Sequence, residues 1–224
     1  MIPVSLSGGI EPGARTGTSV SGQQVVVWRG QDGAARAWAD RCPHRGMRLS
    51  FGYVRENTLT CIYHGWSFGS ADGAGAARCL AVPAHPGMTP PPGAAIAVLP
   101  LAEALGMIWV GAGPQDSQPP HAAAGHPQPV YPVRSITAAA APDALRAALE
   151  ATLPPGTETA ETAQTPGIIV FKGPATEVIA AIQDRGDGAA SAHVVTTSSD
   201  PAARRALCLW AALVRDHLAA VAVP

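Results

Sequence analysis

The sequence predicts a mainly β domain over residues 1–113, a proline-rich linker over 114–129 and a small α+β domain over 130–224. In the first half, apolar residues come in short runs separated by Gly, Pro and Asp, without the three- or four-residue spacing of a helical stripe. The segment GAGPQDSQPPHAAAGHPQP, residues 111–129, has no periodic apolar pattern and reads as a connector. Beyond it, strand-like alternation and helical periodicity occur together, and a sheet covered by helices buries both.

Element by element, strands are expected at 25–28, 34–38, 58–61 and 106–110. The apolar stretch 94–112 is interrupted by Pro100 and Glu103, which suits a buried strand pair better than a membrane span. Long Gly- and Pro-rich connections at 41–53 and 64–78 are where function is expected to sit. In the second domain, 130–137 alternates like a strand, and Pro142 opens a helix running to about Thr152. Three strands at 168–172, 177–183 and 192–197 suggest an antiparallel meander. The chain closes with a helix that Asp200 can cap and Pro201 can start. Leu207, Trp210, Val214 and Leu218 make one apolar face of it.

At 224 residues, two small domains can each bury a modest core. Hydrophobic residues make up 47% and charged residues 14%, which excludes a disordered charged tail or a charged coiled coil. A net charge of −1 gives no general positive field, so neither nucleic acid nor an acidic membrane is expected as a partner. The start Met1-Ile2-Pro3-Val4-Ser5 lacks the basic flank and apolar core of a secretory signal, and a cytoplasmic location is expected. In a reducing compartment the four cysteines read first as metal ligands.

Cys42-Pro43-His44 is followed after sixteen residues by Cys61-Ile62-Tyr63-His64, giving Cys-x-His-x16-Cys-x2-His. Two thiolates and two imidazoles can hold one tetrahedral zinc. They can equally hold a two-iron, two-sulfide cluster, with both thiolates on one iron and both imidazoles on the other. Each loop supplies one thiolate and one imidazole in a β context, where a zinc finger pairs like with like. The mixed pairs favour the cluster.

CPHRGMRLSFG and CIYHGWSF, followed by Gly75, Cys79, Val82-Pro83-Ala84 and GMIWVG, resemble the Rieske domain of Rieske-type non-heme iron oxygenases over roughly residues 1–113. The resemblance implies a β-sandwich with the [2Fe-2S] cluster at the tip of two loops. It further implies that Cys42 and Cys61 hold the inner iron and that His44 and His64 hold the outer iron through Nδ1. Neutral imidazoles in place of thiolates raise the potential of such a cluster. The respiratory type has an additional cysteine in each loop, and here the corresponding neighbourhood offers Met47 and Ile62. Without that clamp the potential is expected in the lower part of a range that begins near about −150 mV. Gly46, Gly65 and Gly69 are expected to permit positive φ and close packing, and Tyr63, Trp66 and Phe68 to shield the cluster. Arg45 is read either as a solvated loop charge or, as the resemblance implies, as tuning the cluster and docking a partner carboxylate, Cys79 as a buried structural thiol and Cys208 as core.

In that family a C-terminal helix-grip domain holds a mononuclear iron through two histidines and a carboxylate. Here only His85, His121, His126, His193 and His217 lie outside the cluster motif. Asp116, His121 and His126 form an acidic-x4-His-x4-His string, but it sits in the proline-rich connector. His193 and His217 read as ordinary satisfied or surface histidines. The stretch after the connector is shorter than the resemblance implies for a full catalytic domain, so it is expected to be a reduced helix-grip fold without mononuclear Fe(II). The resemblance thus implies an iron–sulfur component that passes single electrons from a flavin- or NAD(P)H-dependent reductase, or a ferredoxin, to a terminal acceptor such as an oxygenase. The alternative is a terminal oxygenase, hydroxylating or demethylating a small organic substrate with an unrecognised iron site. A structural or sensing role for the cluster is a third reading, and a homotrimer fits the resemblance.

Overall fold

The structure is a computed structural model that describes residues 1–70, 76–113, 115, 116, 118, 129–162 and 167–221. In chain order the first strands are β1 (Ile2–Leu6), β2 (Arg15–Val20), β3 (Gln23–Arg29), β4 (Ala35–Ala39), β5 (Tyr53–Arg55), β6 (Thr58–Thr60), β7 (Ser67–Ser70) and β8 (Ala76–Ala81). They are followed by β9 (Ala95–Leu99), β10 (Leu101–Ala104) and β11 (Met107–Val110). Strands β2 to β9 form one eight-stranded sheet in the order β2-β3-β4-β9-β8-β7-β6-β5. β9 is the hinge of that sheet, because Ala95, Ile96 and Ala97 pair with β8 whereas Val98 and Leu99 pair with β4. Val26, Trp28 and Trp38 on one side of the hinge share a core with Leu59, Phe68 and Ala77 on the other. Val25 to Trp28 are fully buried, which explains a continuous apolar run where a half-exposed strand would alternate. The β2–β3 turn places Ser21 and Gly22 at φ 50° and 79°, the left-handed pair that suits a two-residue hairpin.

By compactness the chain divides into two units, one of Ile10–Leu101 and Val110–Ser117, the other of Met1–Gly9, Ala102–Trp109 and Gln118–Pro224. This differs from a boundary at residue 113, and the reason is packing. Leu6, Leu105, Met107 and Trp109 share a core with Ile168, Ile179, Ala181 and Val195. The expected strand pair in 94–112 is three strands, broken by Pro100 and by a left-handed Leu105-Gly106 turn.

The remaining elements of the second unit are β12 (Tyr131–Ala138), α1 (Pro142–Ala151), β13 (Thr159–Thr162), β14 (Ile168–Lys172), β15 (Glu177–Asp184), β16 (Ala190–Thr196) and α2 (Pro201–Val221). The sheet β12-β16-β15-β14-β13 is antiparallel throughout. Asp200 caps α2 by accepting the Ala202 and Ala203 N–H groups, each at 3.1 Å. Leu207, Trp210 and Val214 then pack with Leu145 and Leu149 of α1 over Phe171 and Val178. The Trp210 indole N–H is satisfied by the Thr152 carbonyl at 2.7 Å. A mainly β unit with a small α+β unit is the fold class the sequence predicts. Among the described residues no helix is long and apolar enough to cross a membrane.

Candidate metal centre

Two loops project from the eight-stranded sheet, one between β4 and β5, the other between β6 and β7. They close in the same way. The Cys42 N–H donates to the Met47 carbonyl and the Gly46 N–H to the Cys42 carbonyl, both at 2.8 Å. In the second loop the Cys61 N–H donates to the Trp66 carbonyl at 2.9 Å and the Gly65 N–H to the Cys61 carbonyl at 3.0 Å. Gly46 at φ 75° and Gly65 at φ 70° supply the left-handed residue each reversal needs. The sequence carries this as a repeated Cys-x3-Gly, in CPHRG and CIYHG. Buried Asp40 anchors the first loop by accepting the Ser50 N–H at 2.7 Å and the Ser50 hydroxyl at 2.6 Å. Thr60 and Ser67 share a hydroxyl hydrogen bond of 2.9 Å at the base of the second.

The four motif residues come together in two layers. Cys42 and Cys61 are each only 2% exposed, and their thiols lie against one another, with the His44 and Arg45 N–H groups directed at the Cys42 sulfur. His44 and His64 are exposed, with ring centroids 4.7 Å apart. Trp66 lies flat on the His44 ring at 4.4 Å and 3°, and Tyr63 leans on His64 at 3.9 Å. Burial pushes the Cys42 thiol up to about 11, with Cys61 adding to the rise and the amide donors opposing it. Desolvation by the packed loop, with His64 and Arg45 beside it, holds the His44 imidazole below its ordinary value. A neutral His44 imidazole could serve as a metal ligand, whereas Cys42 would have to release a proton to do so.

Among the described residues no three His, Cys, Asp or Glu side chains converge to hold one metal ion. The donors come as a buried sulfur pair and an exposed nitrogen pair. That set fits a group with two metal positions, a [2Fe-2S] cluster, better than a lone zinc.

Neighbouring residues divide between expectation and correction. Phe68 is buried and Trp66 half-buried, but Tyr63 is 55% exposed, so its contact is with the His64 ring and it shields little. Gly69 does not have a positive φ; its role is close approach, because a Cβ there would lie 2.6 Å from Leu80 Cδ1. Cys79 is buried, with its thiol on the Ala81 carbonyl. Cys208 is only half-buried, donating to the Val133 carbonyl at 3.2 Å at the margin of the core. Arg45 is exposed beside His44, and sequence reasoning passed over Arg41 and Arg48 on the same loop.

Gly75, His121 and His126 lie outside the described residues. Asp116 accepts the Ala112 N–H at 3.1 Å, within its own turn. His193 is buried in β16 with Nδ1 2.8 Å from Ser135 Oγ and Nε2 3.4 Å from Gln183 Oε1, a satisfied core histidine. His85 and His217 are exposed.

Residues 1–92 match the Rieske [2Fe-2S] domain. Oxidoreductase NdmD of Pseudomonas putida is 41% identical over 98 residues, covering 44% of this chain and 16% of that protein. The 4beta-methylsterol monooxygenase of Methylococcus capsulatus is 33% identical over 139 residues, 58% of this chain and 36% of that protein. The chain thus spans well under two thirds of the length of these relatives. In fold it is similar to dicamba monooxygenase bound to dicamba, with a TM-score of 0.73 over 98% of this chain and 84% of that one at 16% identity.

Proposed function

Residues 1–92 being a Rieske [2Fe-2S] domain, homologous to those of Rieske oxygenases, we propose that the chain is a one-electron carrier between a reductase and a terminal acceptor. Cys42 and Cys61 would hold the inner iron as thiolates, and His44 and His64 the outer iron through ring nitrogens. When bound, the cluster supplies a one-electron site with a potential above that of an all-cysteine cluster. The observation that carries the reading is the layering of the four side chains. The sulfurs are shut away from water, while both imidazole edges stand at the surface where a partner can reach them. The His44 and Arg45 amides stabilise negative charge on the Cys42 sulfur, and Trp66 fixes the His44 ring plane.

The second unit has an apolar core that either a carrier or an oxygenase can contain. Helix α1 turns Leu145 and Leu149 inward, and they meet Phe171, Trp210 and Val214 in an apolar core. A flavin- or NAD(P)H-dependent reductase or a ferredoxin would be the electron donor, and a homotrimer and a cytoplasmic location belong to the same reading. The likeness of almost the whole chain to a monooxygenase fold favours a second reading. In it the chain is itself a terminal oxygenase for a small organic substrate, with an iron site not yet recognised. Iron and sulfide quantitation with EPR separates the two. Two irons per chain and only a Rieske signal support the carrier, and a third iron with substrate-dependent oxygen consumption supports the oxygenase.

A further inference from the structure

We infer that the outward face of α2 pairs with the same face of a second copy of this chain, antiparallel, about a two-fold axis. Leu207, Trp210 and Val214 commit one side of the helix to the core beneath it. The opposite side carries Ala202, Ala206, Leu209, Leu213, Asp216 and Ala220, spaced alternately by four and three residues, which is the seam of a helix that packs on another helix. Leu209 and Leu213 are 62% and 67% exposed, the most exposed of the large hydrophobic side chains among the described residues. Residues 206–214, ALCLWAALV, contain no charged residue on any side. A helical stretch that is apolar all round belongs inside a protein, and the chain itself covers only one side of this one.

Charge selects the occupant. Arg205 and Asp216 flank the two leucines at opposite ends of the same face. Arg204 donates to the Pro132 carbonyl at 3.0 and 3.2 Å, and Arg215 to Asp216 Oδ1 at 2.6 and 2.8 Å. Arg205, by contrast, is exposed and has no carboxylate partner among the described residues. Both Arg215 bonds end on Oδ1, which leaves Asp216 Oδ2 to accept another guanidinium. When one helix is laid end for end against its copy about residue 211, Leu209 of one meets Leu213 of the other, and Arg205 comes beside Asp216 at both ends. Parallel pairing would set Arg205 against Arg205 and Asp216 against Asp216. The face reads basic, apolar, acidic along its length and so is complementary to its own reversal, which matches a second copy better than a lipid surface or an unlike protein. A single helix face is small beside the about 1,600 Å² of a standard interface, so the dimer should depend on concentration. It is a different contact from the homotrimer that fits the resemblance.

The test is sedimentation velocity of the full, cluster-loaded chain from low to high micromolar concentration at low ionic strength. The wild type should pass from the mass of one chain to that of two. A variant combining Leu209→Gln and Leu213→Gln, both outside the core, should stay at the mass of one. Arg205→Glu alone and Asp216→Arg alone should each weaken the dimer about tenfold or more, because each sets like charges against one another across the pair. Combining those two charge changes in one chain should restore it. That rescue requires Arg205 and Asp216 to face each other on opposite copies, and it decides the matter even if the Gln variant folds poorly. A wild type that is monomeric at every concentration, or only trimeric, overturns the inference, whether or not the face then binds phosphatidylglycerol vesicles. So does a dimer that the single charge variants leave unchanged or that the combined variant fails to restore.

Discussion

Replacing Gly65 by alanine should weaken the folded, cluster-loaded protein more than the same change at Gly46, although the two glycines close equivalent loops. Both sit in the left-handed region, at φ 70° and 75°, where an L residue costs about 1–2 kcal/mol. The difference lies in what the new methyl group meets. At Gly46 the nearest atom is Arg41 Nε at 3.4 Å, on a side chain able to swing aside. At Gly65 it is Pro83 Cγ at 3.1 Å, with Cδ and Cβ at 3.7 and 3.8 Å, so a ring fixed to the backbone has to give. Overpacking of this kind adds about 1 kcal/mol. Gly65→Ala should therefore lose about 2–3 kcal/mol and Gly46→Ala about 1–2 kcal/mol. At about 2–4 °C per kcal/mol for a chain of this size, the midpoints should separate by a few degrees. Thermal unfolding of the loaded variants, followed by far-UV dichroism and by visible absorption, reads both effects. Equal midpoints, or a less stable Gly46→Ala, would refute the packing argument.

Replacing either His44 or His64 by alanine should abolish the Rieske EPR signal, while changing His121 and His126 together to alanine should leave it intact; metal analysis of the double variant checks whether the connector holds iron. Burial holds His193 down to about 4 against an ordinary 6.5, with Arg185 contributing. Above 6.5 it is neutral in both folded and unfolded chains, and below that only the unfolded chain takes up the proton, so stability should fall by about 3 kcal/mol toward pH 4. Urea unfolding across that window should be flatter in His193→Gln, and an unchanged profile would contradict the assignment. Asp200→Ala removes both side-chain bonds to the first turn of α2 and should cost about 1 kcal/mol, read as a lower urea midpoint.

The chemistry was the most legible part of the sequence, because the two loops carry their own geometry in Cys-x3-Gly and need little from elsewhere. Most of the second unit was legible too, since β14 to β16 and α2 bury continuous or periodic apolar faces. What was missed depends on distant partners. β1 joins β11 across the first hundred residues of sequence, and only the shared core reveals it. β2 buries Thr18 and Ser19, polar residues that break the alternation expected of a strand. β13 is a Thr- and Glu-containing strand defined by its pairing with β14, where Glu161 meets Lys172 at 2.7 Å. The stacking of Trp66 on His44 was equally invisible, because it joins two loops whose approach is set by the sheet.

The most direct test of the uneven grip on two irons is iron and acid-labile sulfide quantitation of anaerobically reconstituted protein, combined with EPR of the reduced form. Two irons and two sulfides per chain, with a Rieske-type signal, are expected. A colourless protein, or a single zinc lost on substitution of Cys42, Cys61, His44 or His64, would contradict it.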